Sequence, residues 1–464
     1  SVLGDGAIAA TISGQNTTTI TVNASSGTLA VGSSAASTFN LTTSGNITVD
    51  GSNSRLSGVS TMAINVGNGT ADLAGTNLGF QGMQNLSLAG AGSGSTVLMN
   101  NLSGSGTNIV ITMTGLAGGF SANNIATNSG NLTMDASGST GSIDITTLDA
   151  SGAGAITISS GSGGNFSANT VNAAGTFTLD AASHTSGSGS IGLGSFSASG
   201  ATNISLGSGS GDVVLTDISS NAFTMDGGNF GGTVEVGSLS AGANNVTFSM
   251  GSEGYFSASS IVTTSGSFTL DGANATTGQT TIQSLTAGGA ITISMGTGTG
   301  GVALTTASTA NNFTLDATTF GGTIDLTAVT ASGAVVVSVG TNGDLSAGFV
   351  QTVGAFTVDA AAASSGAVTL TTVSANSNAT ISMGNGTGAL AVTGLTAGGS
   401  VTVDASSFNG TIDLTSISSS GAGTVSVGPK GDFSAGQVDT AAFTLDAAAA
   451  TSGAITITGL DAAG

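Results

Sequence analysis

The sequence predicts an all-β fold, a right-handed parallel β-solenoid (β-helix) with about 22 residues in each coil. The first observation is a phrase of the form apolar-Thr-apolar-Asp, which recurs and ends at Asp135, Asp180, Asp226, Asp271, Asp316, Asp359, Asp404 and Asp446. The second is a Ser-type version of the same phrase between successive Asp phrases, as in Ile293-Ser294-Met295. No helical pattern separates the phrases. A period in the twenties, built from short β-branched runs, is typical of a solenoid.

The sequence has three nested periods, two marked by the aspartates and one by phenylalanines. The 311 residues from Asp135 to Asp446 contain seven double units, so a double unit has about 45 residues and a coil about 22. A longer period is marked by Phe230, Phe320 and Phe408, which are 90 and 88 residues apart. The duplicated unit is therefore about four coils, or about 90 residues, long.

Within a coil, apolar and polar residues alternate, which predicts strands with one face on the core and the other in solvent. The inward set is Phe313, Leu315, Ile324, Leu326 and Val329, and the outward set includes Thr314, Asp316, Thr323 and Asp325. Gly321, Gly322 and Gly333 interrupt the alternation, and we expect corners there at which glycine accepts a positive φ. Three short strands per coil predict a triangular cross-section. Consecutive coils run in one direction, so the strands are expected to pair in parallel with right-handed crossovers.

The alternation of Asp and Ser has an electrostatic reason. Outward carboxylates in neighbouring coils would lie about 4.8 Å apart and repel each other. A Ser coil between two Asp coils doubles that separation. We expect one β-solenoid domain over residues 1–464, with irregular coils in 1–115 and a regular array in 116–464, because no linker or charge run interrupts the chain.

Composition excludes several classes of partner. The chain has 23 acidic residues, Arg55 and Lys430 as its basic residues, and a formal net charge of -21. Such a surface cannot neutralise phosphates, so nucleic acid and anionic membranes are not expected partners. No apolar run is long enough for a membrane-spanning helix, so we expect no membrane insertion.

The residue types also favour an extracellular or cell-surface location. Cysteine is absent and lysine scarce, while Thr, Ala, Ser and Gly are abundant. No basic-then-apolar segment precedes Ser1, so an export signal is expected to have been removed or to lie elsewhere.

Catalytic chemistry is not expected. Asp316 with Asp325, or Asp404 with Asp413, could form carboxylate pairs, but such enzymes also need a cationic or histidine partner and aromatic platforms. For these the chain offers His184, Arg55, Lys430 and Tyr255, and it has no Trp. We therefore predict no enzyme, no catalytic or metal-binding residues and no cofactor, with adventitious Ca²⁺ between acidic columns left open. His184, in a Gly/Ser-rich stretch, is expected to be a solvated turn residue, and Lys430 an exposed one.

The repeat style resembles that of bacterial secreted parallel β-helix surface proteins, such as the shafts of filamentous-haemagglutinin-like adhesins, and the composition is similar to that of S-layer proteins. The resemblance covers the whole chain and rests on the repeats quoted above. It implies a non-enzymatic structural role outside the cell.

The repeat continues in phase through Ile455 and Ile457, which predicts an open strand edge at that end. We therefore expect a self-assembling subunit of an extracellular filament or surface layer, a homopolymer of coils stacked head to tail. The expected assembly residues are Thr19, Ile20, Thr21, Val22, Phe443, Leu445, Ile455 and Ile457.

The alternative function is a binding module: an adhesin shaft, or a solenoid that binds glycans, ice or other surface proteins. Its motivating feature is an outward column of threonines, including Thr269, Thr314 and Thr357, which resembles the binding face of ice-binding solenoids. In those proteins two Thr columns usually flank an inward residue, whereas here the second column is Asp or Ser.

Overall fold

The structure, a computed structural model, describes residues 2–14, 19–34, 38–50, 59–74, 79–81, 83–104, 108–152, 154–184, 189–430 and 432–462. These residues form an all-β parallel solenoid of about 19 turns, with roughly 22 residues per turn and no helix. The predicted fold class is confirmed. The chain divides into two compact units, Ser1–Gly237 and Ser238–Gly464. The single domain with an irregular first part stays a prediction.

The first unit contains strands β1 to β18. They are β1 (Val2–Gly14), β2 (Thr19–Ser34), β3 (Thr38–Thr43), β4 (Ile47–Asp50), β5 (Thr61–Val66), β6 (Thr70–Leu73), β7 (Gly79–Gln81), β8 (Asn85–Gly90), β9 (Thr96–Gly104), β10 (Ile109–Thr114), β11 (Gly119–Thr127), β12 (Leu132–Gly138), β13 (Ile143–Ala150), β14 (Ile156–Ser159), β15 (Phe166–Ala173), β16 (Phe177–Ala181), β17 (Ile191–Leu206) and β18 (Val213–Gly227). The unit boundary falls within β19 (Thr233–Ala241).

The second unit continues with β20 to β39. They are β20 (Val246–Met250), β21 (Tyr255–Thr263), β22 (Phe268–Gly272), β23 (Thr280–Ala287), β24 (Ile291–Met295), β25 (Gly301–Thr309), β26 (Phe313–Ala317), β27 (Thr323–Ala331), β28 (Val335–Val339), β29 (Asp344–Thr352), β30 (Phe356–Ala360), β31 (Val368–Ala375), β32 (Ala379–Met383), β33 (Ala389–Ala397), β34 (Val401–Ala405), β35 (Thr411–Ser419), β36 (Ala422–Val427), β37 (Phe433–Thr440), β38 (Ala442–Asp446) and β39 (Ile455–Ala462).

Each strand pairs in parallel with its counterpart one turn away. In the second unit the short strands β20, β22, β24 and so on to β38 form one ladder, and the longer strands β21, β23, β25 and so on to β39 form the other. Parallel pairing is thus confirmed. The right hand of the coil stays a prediction, because pairing fixes strand direction and not hand.

The longer strand of each turn bends once. In β27, Ile324 and Leu326 face the core, then Thr327 and Ala328 both face outward, and Val329 resumes the inward set. The paired register skips one residue at the same place, from Leu326↔Ala347 to Ala328↔Phe349. A turn therefore has three inward-facing segments, as the sequence predicts, made by two strands rather than three.

The core consists of apolar columns that run from turn to turn. One column contains Phe268, Ile291, Phe313, Val335, Phe356 and Ala379 at successive paired positions, and each is at most 1% exposed. Rings alternate with aliphatic side chains, which gives every ring two smaller neighbours to pack against. Burial of this kind contributes roughly 1.5–3 kcal/mol for each large side chain.

The corner glycines are explained by close approach between turns. A Cβ atom at Gly322 would lie 1.8 Å from the carbonyl oxygen of Gly300 and 2.6 Å from Cζ of Phe320, a corner ring that is 1% exposed. Neither Gly321, Gly322 nor Gly333 has a positive φ. The prediction of left-handed backbone at these corners is therefore wrong. At Gly322 and Gly333 it is the preceding turn that excludes a side chain, whereas no atom lies nearer than 3.8 Å to a Cβ at Gly321.

We expect Gly322→Ala to destabilise the second unit by about 1–3 kcal/mol, because the added methyl group meets backbone that cannot move aside. Adjacent Gly321→Ala is the matched control, since the nearest atom to its Cβ is 3.8 Å away. Urea unfolding followed by circular dichroism compares the two variants. Equal midpoints would contradict the close-approach explanation.

Candidate functional site

An alternating column of Asp and Ser lies on the outer face of the short strands. In the second unit the paired positions are Ser249, Asp271, Ser294, Asp316, Ser338, Asp359, Ser382, Asp404, Ser426 and Asp446. In the first unit they are Asp135, Ser159, Asp180, Ser205 and Asp226. The predicted alternation is confirmed, so no two carboxylates of this column occupy neighbouring turns at these positions.

Each of these aspartates also holds the corner that follows its strand. Oδ1 of Asp316 accepts a hydrogen bond from the backbone N–H of Thr318 at 3.2 Å and another from its Oγ1 at 2.9 Å. The same bond to the N–H two residues later is made by Asp135, Asp180, Asp226, Asp271, Asp359, Asp404 and Asp446. This Asx-turn role was not predicted. The signal for it was the position of Asp directly before a corner.

The threonine column runs beside the Asp/Ser column. In the second unit it contains Thr247, Thr269, Thr292, Thr314, Val336, Thr357, Thr380, Thr402, Thr424 and Thr444 at paired positions. All except Thr444 are half-buried. Except in β28, which has Val336, the outward face of each of these short strands thus presents one threonine hydroxyl and one Asp or Ser, at a spacing of about 4.8 Å between turns.

The inward set of the last turn that the structure describes is more exposed than that of the turn before it. Ile455 is 46% exposed and Leu460 53%, whereas their partners one turn earlier, Phe433 and Val438, are 1% and 0% exposed. Ile457 is half-buried. In the short strand of the same turn, Phe443 and Leu445 are also half-buried, although their columns are otherwise buried. Four of the predicted assembly residues therefore lie together in the inward columns of this turn.

The other four predicted assembly residues lie on β2. Thr19 is exposed, Thr21 half-buried, Ile20 6% exposed and Val22 0% exposed. On one side β2 pairs with β3 over residues 19–24. On its other side, from Val22 onward, it pairs with β1, beginning with Val2↔Val22. The outer neighbour of β2 is therefore β1, and an assembly role for these four residues stays a prediction.

His184 is buried, so the prediction of a solvated turn histidine is wrong. Its side chain is 8% exposed, and its Nε2 lies 3.0 Å from Oγ of Ser160, which is 2% exposed and belongs to the preceding turn. Burial lowers the pKa of His184 below its ordinary value of 6.5. The corner that contains His184 packs against the corner of the preceding turn that contains Ser160. This packing buries the imidazole ring although the surrounding sequence is rich in Gly and Ser.

The remaining predicted positions lie in different elements. Asp316 is the next-to-last residue of β26 and Asp325 lies within β27, with the corner of the buried Phe320 between the two strands. Lys430 is exposed, as predicted, and Arg55 lies outside the described residues. Among the residues that the structure describes, no three His, Asp or Glu side chains are grouped so that they could hold a metal ion. The same part of the chain has no helix that could span a membrane.

We expect Asp316→Ala to weaken the corner by about 1 kcal/mol, because two hydrogen bonds to a carboxylate are lost. Asp316→Asn keeps an acceptor oxygen at the same place and should change little. Hydrogen exchange of the Thr318 amide is the measurement, with faster exchange expected only in the alanine variant. Faster exchange in both variants would mean that charge, not the Asx turn, holds this corner.

We expect a part of the stability of the first unit to be lost as pH falls below about 6.5. The pKa of His184 is lowered in the folded chain, so the unfolded chain binds the proton more readily, and protonation favours unfolding. Thermal unfolding of the wild type and of His184→Gln between pH 7.5 and 5 tests this. The difference in melting temperature between the wild type and His184→Gln should become smaller as the pH falls. A difference that stays constant over this pH range would contradict the prediction.

Comparison with known proteins adds no family to these observations. The chain matches no protein-family model, no curated protein and no solved structure. The function is therefore inferred from the columns and faces of the solenoid alone.

Proposed function

We propose that this protein is a non-enzymatic structural subunit of an extracellular filament or surface layer, and that it assembles by stacking solenoid turns end to end. The observation that supports the proposal is the uniform stacking of the turns, because in the second unit each longer strand pairs in parallel with the next one and continues the same buried columns. Any turn of the same type can therefore continue the stack. We propose that a turn of a second copy of the chain does so, on the face that carries Ile455 and Leu460.

A solenoid turn satisfies everything that this face presents. The outer edges of β38 and β39 offer backbone groups in the spacing of a parallel ladder, which another parallel strand can pair with. Phe443, Leu445, Ile455 and Ile457 offer the apolar columns, and covering such a side chain contributes roughly 1.5–3 kcal/mol. A partner turn of the Ser or Asn type would also keep Asp446 away from another carboxylate.

Composition supports the location outside the cell. A chain without cysteine does not depend on the redox state of its surroundings, and Arg55 and Lys430 are its only sites for trypsin-like proteases. A net charge of -21 repels other copies side by side. Because axial contacts would be made by backbone and apolar groups, while charge opposes lateral contacts, growth along the solenoid axis is the favoured direction.

The test is electron microscopy and light scattering of the purified protein and of three lysine variants. Ile455→Lys and Leu460→Lys place a charge on the face proposed for stacking, at side chains that are about half exposed in the structure, so each chain should still fold. Val353→Lys is the matched control, because Val353 is 57% exposed on a bend outside that face. We expect wild type and Val353→Lys to form rods that persist in 1 M salt, since salt screens charges only, and the other two variants to stay monomeric.

Two results would overturn the proposal. One is a wild type that stays monomeric at all concentrations and salt conditions. The other is filament formation by Ile455→Lys and Leu460→Lys as readily as by the control, which would indicate lateral contacts between the outer columns instead.

The threonine column favours one alternative, a binding face for glycans or ice on a surface-displayed shaft. Nine of ten successive paired positions carry threonine, which makes a regular polar ladder. The neighbouring carboxylates, however, hold their own hydration water and interrupt such a face. A monomeric protein that retains a ligand through purification would favour this alternative.

A further inference from the structure

One outward row of the longer strands follows a four-turn pattern. In the second unit the paired positions are Ser257, Thr281, Ala303, Asp325, Ser346, Thr369, Ala391, Asp413, Ser434 and Thr456, which repeats the order Ser, Thr, Ala, Asp. In the first unit the same row contains Asp144, Ser167, Gly192 and Val214. Glycine thus takes the place of threonine, and valine the place of alanine.

The backbone does not require a glycine at position 192. A Cβ atom there would meet only Cβ of Ser167, at 3.9 Å, which is ordinary contact. Gly194, two residues later in the same turn, differs in this respect: its Cβ would lie 2.3 Å from the carbonyl oxygen of Asn169. Gly192 is therefore not explained by packing between turns, and its effect is to leave space on the outer face.

That space is a groove across four turns of the first unit. It has a volume of about 430 Å³ and is lined by Asp144, Ser167, Asn169, Gly192 and Val214, among others. A second lobe of about 370 Å³ shares Asp144, Ser167, Gly192 and Val214 and extends the groove along the strands. Each volume lies within the roughly 300–1,000 Å³ of small-ligand sites.

The groove combines a carboxylate with an apolar wall. Oγ of Ser167 donates to Oδ1 of Asp144 at 2.6 Å, which fixes the carboxylate beside the floor that Gly192 leaves open. Val214, 39% exposed, lies on the other side of Gly192 in the same row. The described lining residues include no basic side chain, so the negative charge of Asp144 is not neutralised from within the groove.

A cation on an aliphatic stem matches this chemistry. The net charge of -21 attracts positively charged groups toward the whole surface. In the groove, an ammonium or guanidinium group would donate to Asp144, while its methylene stem covers Val214 and Gly192. Sugars are a poorer match, because their sites usually offer an exposed aromatic platform, whereas the aromatic residue of the lining, Phe166, is 1% exposed.

We propose that this groove binds a lysine or arginine side chain of a partner protein, with Asp144 as the anion and Gly192 as the position that admits the stem. The site lies within the first unit and does not depend on axial assembly.

The experiment is a ligand-observed NMR titration of the intact protein with the blocked peptide acetyl-Gly-Lys-Gly-amide. The norleucine peptide, which has a comparable stem without the charge, is the matched control ligand, and the arginine peptide shows which cation is preferred. We expect saturable binding of the lysine peptide, and binding of the norleucine peptide that is about two- to fivefold weaker, the size of a single exposed ion pair.

Three variants separate the groove from general electrostatics. Asp144→Asn removes the anion and should weaken lysine binding about two- to fivefold. Gly192→Thr fills the groove with the residue that the pattern has elsewhere, and should weaken lysine binding as well. Asp325→Asn removes the same charge in a turn where the row has no glycine, and should leave binding unchanged. Equal effects of Asp144→Asn and Asp325→Asn, or full binding by Gly192→Thr, would overturn the proposal, provided that circular dichroism shows the variants folded.

Discussion

Stacking of each residue on its counterpart one turn earlier is the constraint on which the other features of this molecule depend. Parallel pairing between consecutive turns places identical backbone positions about 4.8 Å apart along every column. A side chain is therefore selected for its fit to the residues above and below it. The alternation of phenylalanine rings with aliphatic residues, and of aspartate with serine, are two solutions of the same problem, one for volume and one for charge.

The same constraint gives the acidic residues their structural use. With 23 acidic residues and almost no cations, the chain cannot stabilise its surface with ion pairs. It uses carboxylates as hydrogen-bond acceptors instead, and those of the Asp/Ser column each close the corner that follows their own strand, as Asp316 does for Thr318. The net negative charge then acts mainly between molecules. It opposes side-by-side association of two copies of the chain, and it attracts cationic groups to the groove that Asp144 lines.

What the sequence could predict were the features that repeat. The period, the parallel pairing and the inward columns follow from spacing and alternation, so Phe313 and Ile324 are buried as expected. Features that depend on contacts with the preceding turn could not be predicted from spacing and alternation. The reason for Gly322 is a carbonyl oxygen 22 residues earlier, and the burial of His184 depends on Ser160 in the turn beneath. Gly192 is visible only as a departure once the rows are aligned by their pairing.

The nested periods determine how the length of such a chain can change. Loss or gain of one turn, about 22 residues, preserves the apolar columns but sets aspartate directly on aspartate. A change of two turns, about 45 residues, keeps that alternation yet misplaces the corner phenylalanines, which recur every 90 and 88 residues. Only a change of four turns leaves every column as it was. Unequal recombination between four-turn segments would therefore add or remove turns without mismatching residues in neighbouring turns. The length of the solenoid can thus evolve independently of its stability.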